Sequence, residues 1–209
     1  MGSYPIVVDM TNRPVLVVGG GAVAERKVEG LLAAGARVTV LAPELTPLLQ
    51  AWADDDRIRH VGRRYRAGDL AGYRVAFAAT DDGAVNADVA REARERSVWL
   101  NAADDPDHSD FILPSVLRRG DVVVAVTTGG TSPALARAVR EELETHVTEA
   151  HALLASVVAE VRRAARQRPN PPDAEAWRQA IDEGLRRLVA EGRREEAAAL
   201  LRERLGSPA

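Results

Sequence analysis

Apolar residues recur along this chain in two rhythms, with the change near residue 110. Before it, short β-branched runs alternate with longer stretches of helical period. Pro14-Val15-Leu16-Val17-Val18 is a continuous apolar run ending at Gly19-Gly20-Gly21, the pattern of a strand buried on both faces. Ala22 to Ala34 has helical spacing and stops at Gly35, a residue suited to the left-handed end of a helix. Arg37 to Leu41 reads as a second strand, and a short helix through Trp52 follows Pro43. Past an irregular basic stretch, Arg74 to Ala79 is predicted as a strand, Asp82 to Arg96 as a helix and Ser97 to Leu100 as a further strand. Repeated strand–helix–strand units build a parallel α/β sheet with right-handed crossovers.

Beyond Asp110, Phe111–Leu117 and Asp121–Val126 read as two strands, with Arg118-Arg119-Gly120 between them short enough for a hairpin. The polar turn Thr127-Thr128-Gly129-Gly130-Thr131-Ser132 leads into a helix, Ser132 serving as cap with proline at the first helical position. After Thr148 the pattern is helical, carried by Leu153, Leu154, Val157, Val158 and Val161. The run Arg168 to Pro172 interrupts it, and two more amphipathic segments follow from Asp173 to Leu205.

Composition narrows the function classes. With 46% hydrophobic residues the chain is a folded one, not a disordered one. A net charge of −3 gives no uniform basic surface, so nucleic acid is not expected as a partner. No apolar run approaches the roughly 18 residues of a membrane span. The start, Met1 to Pro14, lacks the basic region and long apolar stretch of a secretory signal, and its Met-Gly-Ser is not read as a lipidation signal. The expectation is a cytoplasmic protein without a membrane partner. Cysteine is absent, which removes disulfides, thiol catalysis and Cys-based zinc sites. His146 and His151 are five apart and do not share a helix face, and with His60 and His108 scattered elsewhere no bound metal is expected. Lys27 is the one lysine among 28 basic residues, a bias read chiefly as a property of the coding sequence.

Three segments carry candidate chemistry. Gly19-Gly20-Gly21-Ala22-Val23-Ala24 fits G-x-G-x-x-A between a strand and a helix, where glycines admit a pyrophosphate and the helix N-terminus favours it. The same residues would also serve as a tight turn without ligand. The acid that usually ends the second strand is missing. Glu44, just past Pro43, is the nearest carboxylate, and no arginine directly follows Leu41, which disfavours a 2′-phosphate. Thr80-Asp81-Asp82 and Asn101 to Asp105 end later strands, where α/β sheets bind their ligands. Their aspartates could accept protons, or simply cap turns and helices. The run of hydroxyls and glycines from Thr127 to Ser132 could hold an anion or be no more than a capped helix start.

Together, GGGAVAERK (Gly19–Lys27), AGARVTVLAPE (Ala34–Glu44), ATDD (Ala79–Asp82), FILPS (Phe111–Ser115) and TTGGTSPALAR (Thr127–Arg137) resemble the N-terminal module of siroheme synthase, in its free-standing form. That family couples precorrin-2 dehydrogenase to sirohydrochlorin ferrochelatase. The resemblance runs nearly continuously from Tyr4 to about Leu143, then more loosely through the helical tail. It implies a Rossmann NAD-binding domain (1–113), a small α+β dimerisation segment (114–148) and a C-terminal helical domain (149–209). It further implies a homodimer and the NAD-dependent oxidation of precorrin-2 to sirohydrochlorin. Some members then insert Fe²⁺, or Co²⁺ toward cobalamin, whereas others stop at the dehydrogenation.

The residues that the resemblance assigns to NAD are Gly21, Ala22 and Val23, with Pro43 and Glu44; Gly19 of the same glycine motif, and Thr80 and Asp81 at their strand end, are read as cofactor residues beside them. Its essential aspartate falls on Asp104, as the base that takes protons from the tetrapyrrole. Asp105, Asp107 and Asp110 would raise the pKa of Asp104 by like-charge repulsion. Asn101 opens that N-x-x-D segment, and Thr128, Gly129, Gly130 and Thr131 are the remaining substrate-side residues. The substrate's eight carboxylates call for cations, with Arg118, Arg119 and Arg137 as candidates that could equally be solvated or paired. Two other classes compete with this reading: an NAD-sensing Rossmann protein without catalysis, and a dehydrogenase for a small substrate, which would want a His or Lys partner in the cleft.

Overall fold

In a computed structural model, residues 4–103 and 105–206 are described. The chain divides into two compact units, Met1–Leu113 and Pro114–Ala209.

The first unit holds β1 (Pro14–Val18), α1 (Ala22–Ala33), β2 (Arg37–Leu41), α2 (Pro47–Asp54), β3 (Arg59–Val61), β4 (Val75–Ala78), α3 (Gly83–Arg96) and β5 (Trp99–Ala102). The five strands form one parallel sheet in the order β3-β2-β1-β4-β5. β1 lies at the centre, so its side chains are buried on both faces, and Val15 to Val18 are at most 1% exposed. Val15 and Val17 point into one core with Ala24 and Val28 of α1 and Leu49 of α2. Leu16 and Val18 point into the opposite core with Val89, Ala90 and Ala93 of α3. This is a doubly wound α/β sheet. The chain runs outward from β1 to β3 and then crosses to place β4 on the other side of β1, so the topological switch point lies between β1 and β4.

Local chemistry moved several boundaries. α2 starts at Pro47, not after Pro43, because the Thr46 hydroxyl accepts the Leu49 N–H at 3.3 Å and proline occupies the first position. β3 has three residues and no apolar alternation, and pairing with β2 alone defines it. β5 begins at Trp99 rather than Ser97, since Ser97 adopts a left-handed conformation (φ 55°) that closes α3. Asn101 is consequently inside the strand, not beyond it.

The second unit opens with a hairpin, β6 (Ser115–Arg119) and β7 (Val122–Val126), turned at Gly120 with φ 55°. Phe111 is not part of it; its ring packs edge-on against Phe77 of the first unit's sheet at 5.6 Å. α4 (Pro133–Glu144) and α5 (Glu149–Ala165) follow. The two amphipathic segments expected after Arg168–Pro172 are three helices, α6 (Ala174–Ala180), α7 (Glu183–Ala190) and α8 (Arg194–Arg204). Asp182 caps a new helix through the Leu185 N–H (2.9 Å), and Gly192 (φ 73°) ends it, dividing what the apolar pattern reads as continuous. α5, α7 and α8 enclose a core around Val157, Leu185, Ala197 and Leu201.

Candidate functional site

The three glycines after β1 do different work. Gly19 has φ 121°, and a Cβ there would sit 2.2 Å from the Ala79 carbonyl oxygen at the end of β4. A Cβ on Gly20 would sit 2.0 Å from the Glu44 carbonyl oxygen, just past β2. These two residues let the turn wedge between its neighbouring strands, fixed by Gly19 N–H to the Leu41 carbonyl (3.0 Å) and Thr46 N–H to the Gly20 carbonyl (2.9 Å). A Cβ on Gly21 would meet no atom within 4 Å. Gly21 is also the cap residue of α1 in an extended conformation, and it provides no side chain to satisfy the first-turn N–H groups of Ala22 and Val23. Open space against unsatisfied N–H groups at the start of a twelve-residue helix fits a pyrophosphate. Pro43 and Glu44 lie exposed beside this turn.

Past β4, Thr80 is turned inward. Its hydroxyl donates to Asn86 Oδ1 at 2.8 Å, and its N–H faces the same oxygen at 3.4 Å. Asp82 caps α3 by accepting from the N–H groups of Ala84 (3.0 Å) and Val85 (3.3 Å), whereas Asp81 is exposed. The fold thus brings the candidate cofactor residues from the ends of β1, β2 and β4 to one edge of the sheet.

The segment after β5 is a laced loop. Leu100 N–H donates to Asp110 Oδ2 (2.8 Å), Asp110 N–H returns to the Leu100 carbonyl (2.7 Å), and the Ser109 hydroxyl bridges Ala102 N–H (3.0 Å) and the Asp105 carbonyl (2.9 Å). Asp105 caps the single 3₁₀ turn Pro106–His108 and bonds the His108 ring at 2.5 Å, which with the backbone contact holds its carboxyl below the usual aspartate value. Asp105 and Asp110 are therefore committed to loop structure. Asp104, the expected base, lies outside the described residues.

Asn101 is bonded at both ends of its amide: its Oδ1 accepts from Lys27 Nζ at 2.7 Å and its Nδ2 donates to the Phe111 carbonyl at 2.9 Å. Lys27, which sequence reasoning passed over as a helix residue, stands 5.3 Å above the Phe77 ring. The signal that could have found it is its being the one lysine in a chain of arginines.

In the second unit, Thr128 Oγ1 accepts the Ser132 N–H and lies 3.0 Å from the Ser132 carbonyl, while Gly129 (φ 66°) and Gly130 (φ 85°) make the left-handed turn and Thr131 is exposed. Ser132 caps α4 through the Leu135 N–H (3.2 Å). Of the candidate cations, Arg119 pairs with Glu149 (3.3 Å) and Arg137 with Glu141 (2.9 Å). Among the described residues no cluster of three or more metal-ligating side chains occurs, and no helix is long and apolar enough to cross a membrane.

A family described as putative NAD(P)-binding matches residues 6–115. The chain belongs to it. A second match, the central segment of the sirohaem biosynthesis protein, covers residues 119–146. The chain is similar to the siroheme synthase of Methylobacillus flagellatus, 44% identical over 80% of this chain and 36% of that protein. It is also similar to that of Methylococcus capsulatus, 40% identical over 97% of this chain and 43% of that protein. It therefore spans about two fifths of the length of these relatives. Among solved structures it resembles SirC, precorrin-2 dehydrogenase, with a TM-score of 0.78 and 25% identity, covering 96% of this chain and 100% of that one. The resemblance to the siroheme synthase N-terminal module is borne out on both counts.

Proposed function

We propose that this chain is a cytoplasmic homodimer that oxidises precorrin-2 to sirohydrochlorin with NAD⁺. The observation that carries the reading is the open, uncapped Gly21 turn at the switch point of a chain whose fold spans the whole of SirC, precorrin-2 dehydrogenase. Gly21, Ala22 and Val23 hold the pyrophosphate through backbone N–H groups, with Gly19 shaping the turn. Pro43 and Glu44 border the ribose, Glu44 offering a carboxylate to the diol and opposing a 2′-phosphate. Thr80 and Asp81 line the β4 side. When bound, NAD⁺ supplies the hydride acceptor.

The oxidation removes a hydride and a proton from precorrin-2. Asp104, three residues past Asn101, is the proposed proton acceptor. Asn101 sets the start of that segment, and Thr128, Gly129, Gly130 and Thr131 are proposed to contact the substrate. Insertion of Fe²⁺ or Co²⁺ as a second substrate would call on the same carboxylate for the pyrrole protons. Dimerisation is supported by the hairpin: it has two strands only, and Val116 (37% exposed) and Val123 (42% exposed) lie on its outer face, with Leu135 of α4 also exposed.

The test is anaerobic incubation of the purified chain with precorrin-2 and each nucleotide, followed by Fe²⁺ or Co²⁺. Stoichiometric NADH and sirohydrochlorin support the reading. Equal or better kcat/KM with NADP⁺ removes the role of Glu44, and absence of turnover removes the activity.

A further inference from the structure

We propose that Lys27 is a positioning residue for this oxidation: its ammonium, seated over Phe77 and bonded to Asn101, fixes Asn101 and through it the Phe111 carbonyl, the two residues between which Asp104 falls in the sequence. The inference rests on the proposed function and extends it to a residue that the nucleotide motif does not require.

An ammonium is a donor only. Facing the side-chain amide of Asn101, it forces Oδ1 toward itself at 2.7 Å, and the amide can then present only Nδ2 to the other side. That is where the Phe111 carbonyl accepts at 2.9 Å. Lys27 thereby selects one of the two amide orientations, and the selected one closes the base of the loop between Asn101 and Phe111. With the amide reversed, Nδ2 would confront the ammonium and Oδ1 the Phe111 carbonyl, leaving neither contact bonded.

The Phe77 ring forms one side of the seat of the ammonium. Nζ stands 5.3 Å from the centroid of Phe77 on β4, and Phe111 meets Phe77 edge-on at 5.6 Å and 88°. The cation on the ring face and the ring edge are both contacts that the Phe77 π-system favours. A compact point charge on a flexible stem suits this seat, and at the 27 other basic positions of the chain the residue is arginine. Lys27 lies six positions after Gly21 on α1, the helix whose first turn is proposed to hold the pyrophosphate. The pair thus joins the element proposed to receive the nucleotide to the start of the segment proposed to receive the proton, and Ser109 and Asp110 are bonded back to Ala102 and Leu100. Misplacing a catalytic group by about 1 Å can cost on the order of 10²-fold in rate.

The test uses the full chain, its Lys27→Met and Lys27→Arg variants, and Asn101→Ala. Lys27→Met should lower kcat for precorrin-2 roughly 10- to 100-fold at saturating NAD⁺. NAD⁺ affinity, read by nucleotide fluorescence, and the melting temperature should stay close to wild type, and Lys27→Arg should recover part of kcat. Independently of turnover, protein labelled with ¹³C,¹⁵N-lysine gives a single side-chain signal, which Asn101→Ala should displace. An active wild type whose Lys27→Met variant keeps its kcat overturns the assignment. So does a parallel fall in NAD⁺ affinity and melting temperature that Lys27→Arg does not relieve, or a lysine signal indifferent to Asn101→Ala. A wild-type chain that does not oxidise precorrin-2 overturns the proposed function and, with it, the role given to Lys27.

Discussion

Gly20 packs so closely under Glu44 that a methyl group on its Cα would stand 2.0 Å from the Glu44 carbonyl oxygen, whereas the same methyl on Gly21 would touch nothing within 4 Å. Neighbouring glycines of one motif therefore answer to different demands: Gly20 to the fold and, on the proposed function, Gly21 to the ligand. Gly20→Ala should destabilise the protein by about 2 kcal/mol or more, because backbone on both sides must move. Gly21→Ala should leave the melting temperature unchanged, its φ of −87° being open to any residue, yet weaken NAD⁺ binding by roughly tenfold, about 1.4 kcal/mol. Thermal denaturation and nucleotide titration of both variants check the division. Unaltered NAD⁺ affinity in Gly21→Ala would show the whole motif to be structural.

That distinction marks how far the sequence could be read. The strands β1 and β4 were legible because each is buried on both faces and so apolar throughout, and β2 because Val38, Val40 and Leu41 make it β-branched and mostly apolar despite Arg37 and Thr39. β3 was not, since Arg59-His60-Val61 has no period of its own and exists as a strand only through its pairing with β2. The glycine motif was legible as a motif, but its assignment residue by residue needed the contacts of Ala79 and Glu44. Asn101 was legible as a candidate position. Its commitment to Lys27 was not, because 74 residues separate the two and no local pattern links them. The capping role of Asp105 was foreseen as one of two readings, and its bonds to His108 decide for it.

The hairpin should form the dimer contact. Replacing Val116 and Val123 together by glutamate puts two charges on its outer face without touching Leu117, which is 2% exposed and packs inward. Sedimentation should then show a monomer at micromolar concentration, with melting of the first unit little changed. A dimer that survives the double substitution would place the interface elsewhere.

Acid stability should depend on Glu92, a carboxylate only 6% exposed. Burial pushes its pKa up, but bonds from the Tyr65 hydroxyl, the Gly68 N–H (2.9 Å) and Arg96 (2.5 Å) outweigh burial and leave it below the ordinary glutamate value of 4.5. Burial and the bond to Glu92 in turn raise the Tyr65 phenol. A carboxyl depressed on folding stabilises above its unfolded pKa, and the gain is lost as pH falls through the folded value. Asp69, held low chiefly by its bond to Arg63, acts in the same acid range. Urea denaturation should show wild-type stability falling below about pH 4.5. Glu92→Gln should be less stable at pH 7 by about 1–3 kcal/mol and lose less on acidification. Equal acid sensitivity of the two proteins would remove Glu92 from this account.

The proposed proton acceptor of the NAD⁺-dependent oxidation is tested most directly by one comparison: anaerobic kcat for precorrin-2 in wild type, Asp104→Asn and Asp105→Asn. Asparagine keeps the shape of the side chain and removes the proton acceptor at neutral pH. Asp104→Asn is predicted to lose on the order of 10²- to 10⁴-fold in turnover with NAD⁺ affinity intact. Asp105→Asn is predicted to lower stability by loosening the Pro106–His108 turn while most activity remains. Near-normal turnover by Asp104→Asn, or loss of activity in Asp105→Asn alone, would contradict the account.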